Sequence, residues 1–275
     1  YKTDSIPTLK KMLVAYKNAT IMSESDAEEI QIRFKVENDK VFKALILTTI
    51  QLTPITLDSY LGRMNEDGTR KKNLPSAFNK WKKISPIAKS YLNSTIKLLS
   101  SMTDVDTLRT ILQSSSYNGI CPYYACFPKL GKEYLKLLVR FWTSADEEIR
   151  IVSFLSLRRL AASAPTPYLE MSLKACTNAF TDQARTVNSQ TVAAIYFMQD
   201  SIVELCALDG EISYQYAFVS VRKLAISLRI AINKRSVETL RQVYNWQFIQ
   251  LLFLWSKVLG VYCNPDKHAQ ASIGS

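Results

Sequence analysis

One histidine, His268, is all that the 275 residues contain, and it falls in a polar tail. Ser–His and Cys–His nucleophile pairs therefore have no credible place along the chain, and His268 itself reads as a solvated residue. Glycine and proline are also scarce, at 7 and 9. A β-sandwich or barrel needs many tight turns and is disfavoured, so long helices joined by short loops remain. Cysteine is sparse and odd in number, with Cys121, Cys126, Cys176, Cys206 and Cys263 making 5. Cys121 and Cys126 have no second pair to complete a four-ligand zinc site, so the thiols read as small apolar core residues of a reducing compartment. Gly131-Lys132 lacks the upstream glycine of a phosphate-binding loop. The acidic pairs Glu28-Glu29 and Glu147-Glu148 read as helix-start charges. No catalytic residue, metal, cofactor or small-molecule substrate is expected. No membrane contact is expected either: the most apolar stretch, Phe248 to Leu259, is short and holds Gln250 and Lys257. The chain opens on Tyr1-Lys2-Thr3-Asp4, without a signal-peptide pattern or an initiator Met, which suggests a fragment of a longer protein.

What is present points to a helical, basic protein. Apolar residues at 47% and aromatics at 11% are enough for a large core. Lys and Arg number 35 against 24 Asp and Glu, a formal charge of +11, which favours RNA or an acidic partner. Helical spacing recurs throughout. Ile6, Leu9, Leu13 and Tyr16 form one stripe, and Val41, Leu45, Thr48 and Leu52 form another, with Pro54 placed to kink or end that helix. From Ser85 onward, helix starts near 86, 128, 167 and 211 stand 42, 39 and 44 residues apart. Second starts fall between them, at Thr103-Asp104-Val105-Asp106, at a capping box Ser144-Ala145-Asp146-Glu147, at Ser189 and at Ser236. The period matches HEAT or armadillo repeats, roughly 40–47 residues long.

The expected fold is all-α, an elongated solenoid of HEAT/armadillo-like helical hairpins, with an irregular helical bundle as the runner-up. The expected organisation is N-terminal helices over 1–61, a flexible basic linker over 62–76, repeats over 77–263 and a polar tail over 264–275. The helix from about 211 to 233 has a row Tyr214, Phe218, Val221, Ala225, Leu228, Ile232 beside a second apolar row. The last helix, about 236–262, has two apolar rows as well. Both patterns imply packing on two sides.

The basic residues suggest where a polyanion would bind. Arg70-Lys71-Lys72 lies in the linker, and Lys82 and Lys83 follow. Lys129, Lys132, Lys136 and Arg140 recur at helical spacing and share one face. These nine are the RNA candidates, by phosphate contact rather than base readout. Arg222, Lys223, Arg229, Lys234, Arg235 and Arg241 form a further basic concentration. Tyr123-Tyr124 is a weak candidate for base stacking, while Trp81, Trp142, Trp246 and Trp255 lie in apolar helical patterns. A protein partner is expected on the last helix, through Trp246, Phe253 and Trp255.

Several ordered segments carry a resemblance. They are Trp81-Lys-Lys-Ile-Ser-Pro86 with Lys89-Ser-Tyr-Leu92, Tyr124-Ala-Cys-Phe-Pro-Lys-Leu130, and Phe154-Leu-Ser-Leu-Arg-Arg-Leu-Ala161. Phe197-Met-Gln-Asp-Ser-Ile-Val-Glu-Leu205, Tyr214-Gln-Tyr-Ala-Phe218 with Val221-Arg-Lys-Leu-Ala225, and Tyr244-Asn-Trp-Gln-Phe248 with Leu254-Trp-Ser-Lys-Val-Leu259 continue the series. Across roughly residues 34 to 263 the chain resembles the nucleolar complex protein 2 family of ribosome-assembly factors. The resemblance implies a non-enzymatic scaffold of large (60S) subunit biogenesis, nuclear and mainly nucleolar, also nucleoplasmic. It further implies a heterodimer with a related nucleolar complex repeat protein on precursor particles that hold pre-ribosomal RNA. The alternative is a karyopherin-like helical-repeat adaptor for protein cargo.

Overall fold

The computed structural model describes residues 6–22 and 38–262, apart from 66, 68, 72, 103, 118 and 145. Twelve α-helices and one short 3-10 turn appear among the described residues, with no strand beyond an isolated Met64–Arg70 bridge. The chain divides into two compact units, with the break between Ala164 and Pro165. It falls inside the segment expected to form one run of repeats.

The first unit holds α1 (Ile6–Met22), α2 (Asp39–Leu61), α3 (Trp81–Ser101), α4 (Val105–Tyr117), α5 (Cys121–Ala125), α6 (Pro128–Trp142) and α7 (Glu147–Ser163). Leu9, Leu13, Tyr16 and Ala19 bury one face of α1, and the Tyr16 hydroxyl lies 3.1 Å from the Thr95 hydroxyl of α3. Helix α2 continues through Pro54 and stops at Gly62, whose φ of 71° suits glycine and whose N–H caps the Asp58 and Ser59 carbonyls. Among the described residues α2 alone has the length and composition to cross a bilayer. It packs on α1 and α4, and its Asp58 is fully buried and paired with Arg63. Helix α6 packs on α3 and α7, and its Tyr134 stacks on Tyr124 at 4.0 Å.

The second unit holds α8 (Pro165–Gln183), α9 (Val192–Cys206), α10 (Gly210–Lys234), α11 (Val237–Val243) and α12 (Trp246–Tyr262). Its core lies among α8, α9, α10 and α12, around Leu173, Phe180, Ile202, Leu205, Leu254 and Trp255. Gln199 and Gln250 are buried together between α9 and α12, with the Gln199 amide donating to the Gln250 carbonyl oxygen at 2.8 Å. A bonded amide pair removes most of the cost of burying either one.

Caps place most helix starts close to their expected positions. Asp209 accepts from the Ile212 N–H and Ser236 from the Thr239 N–H. Three starts differ from the sequence reading. Helix α3 begins at Trp81 rather than Pro86, because backbone bonds from Trp81 to Phe78 and from Lys83 to Lys80 extend it backwards on an exposed side where Pro86 costs little. The cap of α7 is Asp146, which accepts from the Ile149 N–H at 2.8 Å, and Ser144 instead offers its carbonyl to Arg150. Before α9, Asn188 and not Ser189 binds the free N–H groups, those of Gln190 and Thr191. The last helix is also two helices. Asn245 breaks it, donating to the Arg241 and Gln242 carbonyls and accepting from the Phe248 N–H, so one amide ends α11 and starts α12.

Candidate functional site

The basic segments of the first unit have opposite surroundings. Asp58 is fully buried near the end of α2. Arg63 donates to its Oδ1 at 3.1 Å, Arg70 to its Oδ2 at 2.7 Å, and the Tyr123 hydroxyl of α5 to its Oδ1 at 2.7 Å. Arg63 also donates to the Asn73 carbonyl. Burial, and then the Asp58 charge, push the Tyr123 hydroxyl far above its ordinary range, so it remains a donor. Within the segment expected to be a linker, Arg63 and Arg70 are thus tied to Asp58 of α2, which Tyr123 of α5 also reaches. Two backbone bonds join described residues there: the Asn65 N–H donates to the Thr69 carbonyl at 2.8 Å and the Lys71 N–H to the Arg63 carbonyl at 2.9 Å. Arg70, expected to meet RNA, is paired with Asp58 instead, because a carboxylate buried in a helical core calls for a cationic partner. Lys71 is exposed and donates to the Gly62 carbonyl at 3.0 Å. Lys72 lies outside the described residues.

The other candidates of this unit are exposed. Lys82 and Lys83 open α3, and neighbouring Lys80 sits over the Tyr60 ring at 5.1 Å. On α6, Leu130, Tyr134, Leu135, Leu138 and Trp142 are buried, while Lys129, Lys132, Lys136 and Arg140 all face solvent. None of these four makes an ion pair with a described residue; Arg140 lies near the Phe141 ring at 5.1 Å. Glu133 is exposed among them, so five charged positions carry a net +3. No acid occupies the first turn of α6, and Lys129 and Lys132 add to the positive end of the helix dipole. This face can hold phosphate oxygens without displacing any internal partner. Tyr123 and Tyr124 are both fully buried and offer no stacking platform, which corrects the sequence reading.

In the second unit Trp246 is 51% and Phe253 60% exposed on α12. Trp255 is not on that surface. It is 3% exposed and packs on Tyr216 at 5.9 Å, because its row on α12 faces α8 to α10. Tyr214 and Phe218, expected to be packed on α10, are exposed instead, and Tyr196 and Tyr244 are further exposed aromatics that the sequence did not mark as surface. Periodicity gives the apolar rows of a helix but not which of them the chain itself covers.

Among the described residues no three of His, Cys, Asp and Glu converge. Burial pushes the Cys121 thiol up to about 12 and that of Cys206 up to about 11, so both stay protonated at neutral pH. His268 and Cys263 lie outside the described residues.

Comparison with known proteins supplies what geometry alone does not. The Noc2p family model matches residues 167–273. Nucleolar complex protein 2 of Drosophila melanogaster is 30% identical over 270 residues, which is 96% of this chain and 34% of that protein. Nucleolar complex-associated protein 2 of Arabidopsis thaliana is 28% identical over 262 residues, 94% of this chain and 34% of that protein. An uncharacterized NOC2 family protein of Schizosaccharomyces pombe is 30% identical over 256 residues, 93% of this chain and 36% of that protein. The chain spans about a third of the length of these relatives.

Proposed function

The chain carries a Noc2p-family segment and is related to nucleolar complex proteins over nearly its whole length; on that premise we propose that it is a non-enzymatic scaffold of large ribosomal subunit assembly. It acts in the nucleus, mainly the nucleolus and also the nucleoplasm, on precursor particles. It pairs there with a related nucleolar complex repeat protein and moves with the particle. Its helix pairs form a HEAT-like stack, which offers binding area without needing a catalytic pocket. The α6 face lies against pre-ribosomal RNA, joined by Lys82 and Lys83, and the exposed Trp246 and Phe253 of α12 take part in the protein contact.

The observation that carries the RNA contact is the α6 face. Four cations face solvent on a helix whose opposite side is fully packed, and no described acid partners them. Such a face binds by charge and shape, with affinity falling steeply as salt rises.

The test is a pulldown of the tagged chain from nuclear extract, washed at rising salt, with bound protein and RNA identified. Wild-type chain is expected to recover precursor RNA of the large subunit together with a repeat-protein partner. Changing Lys129, Lys132, Lys136 and Arg140 to Glu removes the RNA crosslinks and leaves the partner. The RNA salt slope should fall by about 0.7 for each single-strand phosphate that is no longer neutralised. RNA crosslinks that survive the fourfold reversal would refute the α6 assignment, and recovery of neither RNA nor partner would refute the scaffold.

A further inference from the structure

Helix α10 gives little of its surface to its own unit. Of its 25 residues only Ser213, Ala217 and Ala231 are buried. Tyr214, Phe218, Val221, Ala225, Leu228 and Ile232 follow one another in steps of four and three, so they form one line about 27 Å long at 1.5 Å per residue. Tyr214 is 67% exposed, Phe218 55%, Leu228 42% and Ile232 58%. The Tyr214 and Phe218 rings stack on each other at 6.2 Å. Scattered apolar residues on a surface need no explanation, but a continuous row of this length does.

Two further features narrow what this row takes. Arg222 and Arg229, two turns apart, border it along one side. Both are exposed, and neither forms an ion pair with a described residue. At the Tyr214 end, a groove of about 310 Å³ opens between the end of α9, the start of α10 and the end of α12. Its lining includes the small residues Ala207, Gly210, Ser213 and Ala217 together with the larger Leu259 and Tyr262. That leaves room for a large apolar side chain entering from outside.

We propose that α10 is the docking face for one amphipathic helix of a partner protein, a helix that carries acidic residues beside its apolar stripe and seats a bulky apolar side chain in the groove. The four-and-three spacing of the row matches the ridges of an opposing helix. Arg222 and Arg229 select the sign of charge along its edge. RNA fits this face poorly, since phosphates would pair with the arginines and leave the apolar row wet. A second copy of the chain would set these arginines against their own kind. Docking on α10 follows from this face alone and does not depend on the ribosomal reading.

The experiment measures binding of two synthetic helical peptides, each about five turns long, to the whole chain by fluorescence anisotropy. Both carry the same Leu stripe; Glu flanks it in one and Lys in the other. The Glu peptide is expected to bind at least roughly tenfold tighter. Phe218→Asp and the milder Phe218→Ser abolish its binding. Arg222→Glu combined with Arg229→Glu inverts the preference while circular dichroism stays unchanged, since both side chains are exposed. Equal affinity for the two peptides, or binding indifferent to both Phe218 variants, overturns the proposal. So does Phe218-dependent self-association in sedimentation, or displacement of the peptide by single-stranded RNA. Charge reversal of α6 leaves peptide binding intact, so failure of the ribosomal reading and failure of this one are distinguishable.

Discussion

The segment 63–71 and helix α6 look alike as strings of cations, yet they use their charge in opposite ways. In the first, Arg63 and Arg70 turn inward to a buried Asp58, and their guanidinium groups hold a turn against α2 and α5. In the second, Lys129, Lys132, Lys136 and Arg140 turn outward, because the apolar residues between them claim the inner face of the helix. A basic run is therefore not evidence of a nucleic-acid surface by itself. What decides is whether an acid lies inside the fold within reach, and whether the intervening residues fix the direction in which the cations point.

This contrast can be broken most severely at Asp58. Asp58→Ala leaves Arg63 buried without a counter-charge and strips Arg70 and Tyr123 of their acceptor, so chemical denaturation should show a loss of about 3–5 kcal/mol. An unchanged midpoint would mean that the cluster is incidental. A smaller effect is expected at Gly119, whose φ is 76° and where an added Cβ would stand 2.8 Å from the Arg70 guanidinium. Gly119→Ala should cost about 1–2 kcal/mol through the left-handed backbone alone. Combining it with Arg70→Ala, which removes the contacted side chain, should give less than the sum of the two single losses. The smallest effect is expected on α6: the fourfold change to Glu that abolishes RNA crosslinks should move stability by no more than roughly 1 kcal/mol. A large loss there would erase the distinction between inward and outward cations.

How much of this was legible depends on the periodicity of the element. The α6 face was readable because Leu130, Tyr134, Leu138 and Trp142 alternate with the cations at helical spacing, which fixes both faces at once. The loop offered no such period, so Arg70 looked as free as Lys71. The signal that was present lay elsewhere, in a single Asp58 inside the apolar run Ile55-Thr56-Leu57-Asp58-Ser59-Tyr60-Leu61. A lone carboxylate in such a row implies a buried partner, but the sequence does not say that Arg63, Arg70 and Tyr123 supply it. The two rows of α10 and of the last helical stretch were also visible. Their fate was not, since a row covered by a neighbouring helix and a row left for a partner have the same spelling. Trp255 and Phe253 show this: they are two residues apart, and one is core while the other is surface. Asn245 hid for a different reason. An asparagine between Tyr244 and Trp246 is weak evidence for a break until its amide is seen to serve both helix ends.

The Asp58 cluster also sets a schedule for synthesis. Its carboxylate and its last donor, Tyr123, are 65 residues apart in the chain. At about 5–20 residues per second, Tyr123 is added roughly 3–13 s after Asp58. During that interval the nascent α2 carries its acid without the full set of donors. The α2–loop–α5 clasp closes only when α5 has left the exit tunnel, so the N-terminal helices wait for a latch encoded well downstream of them.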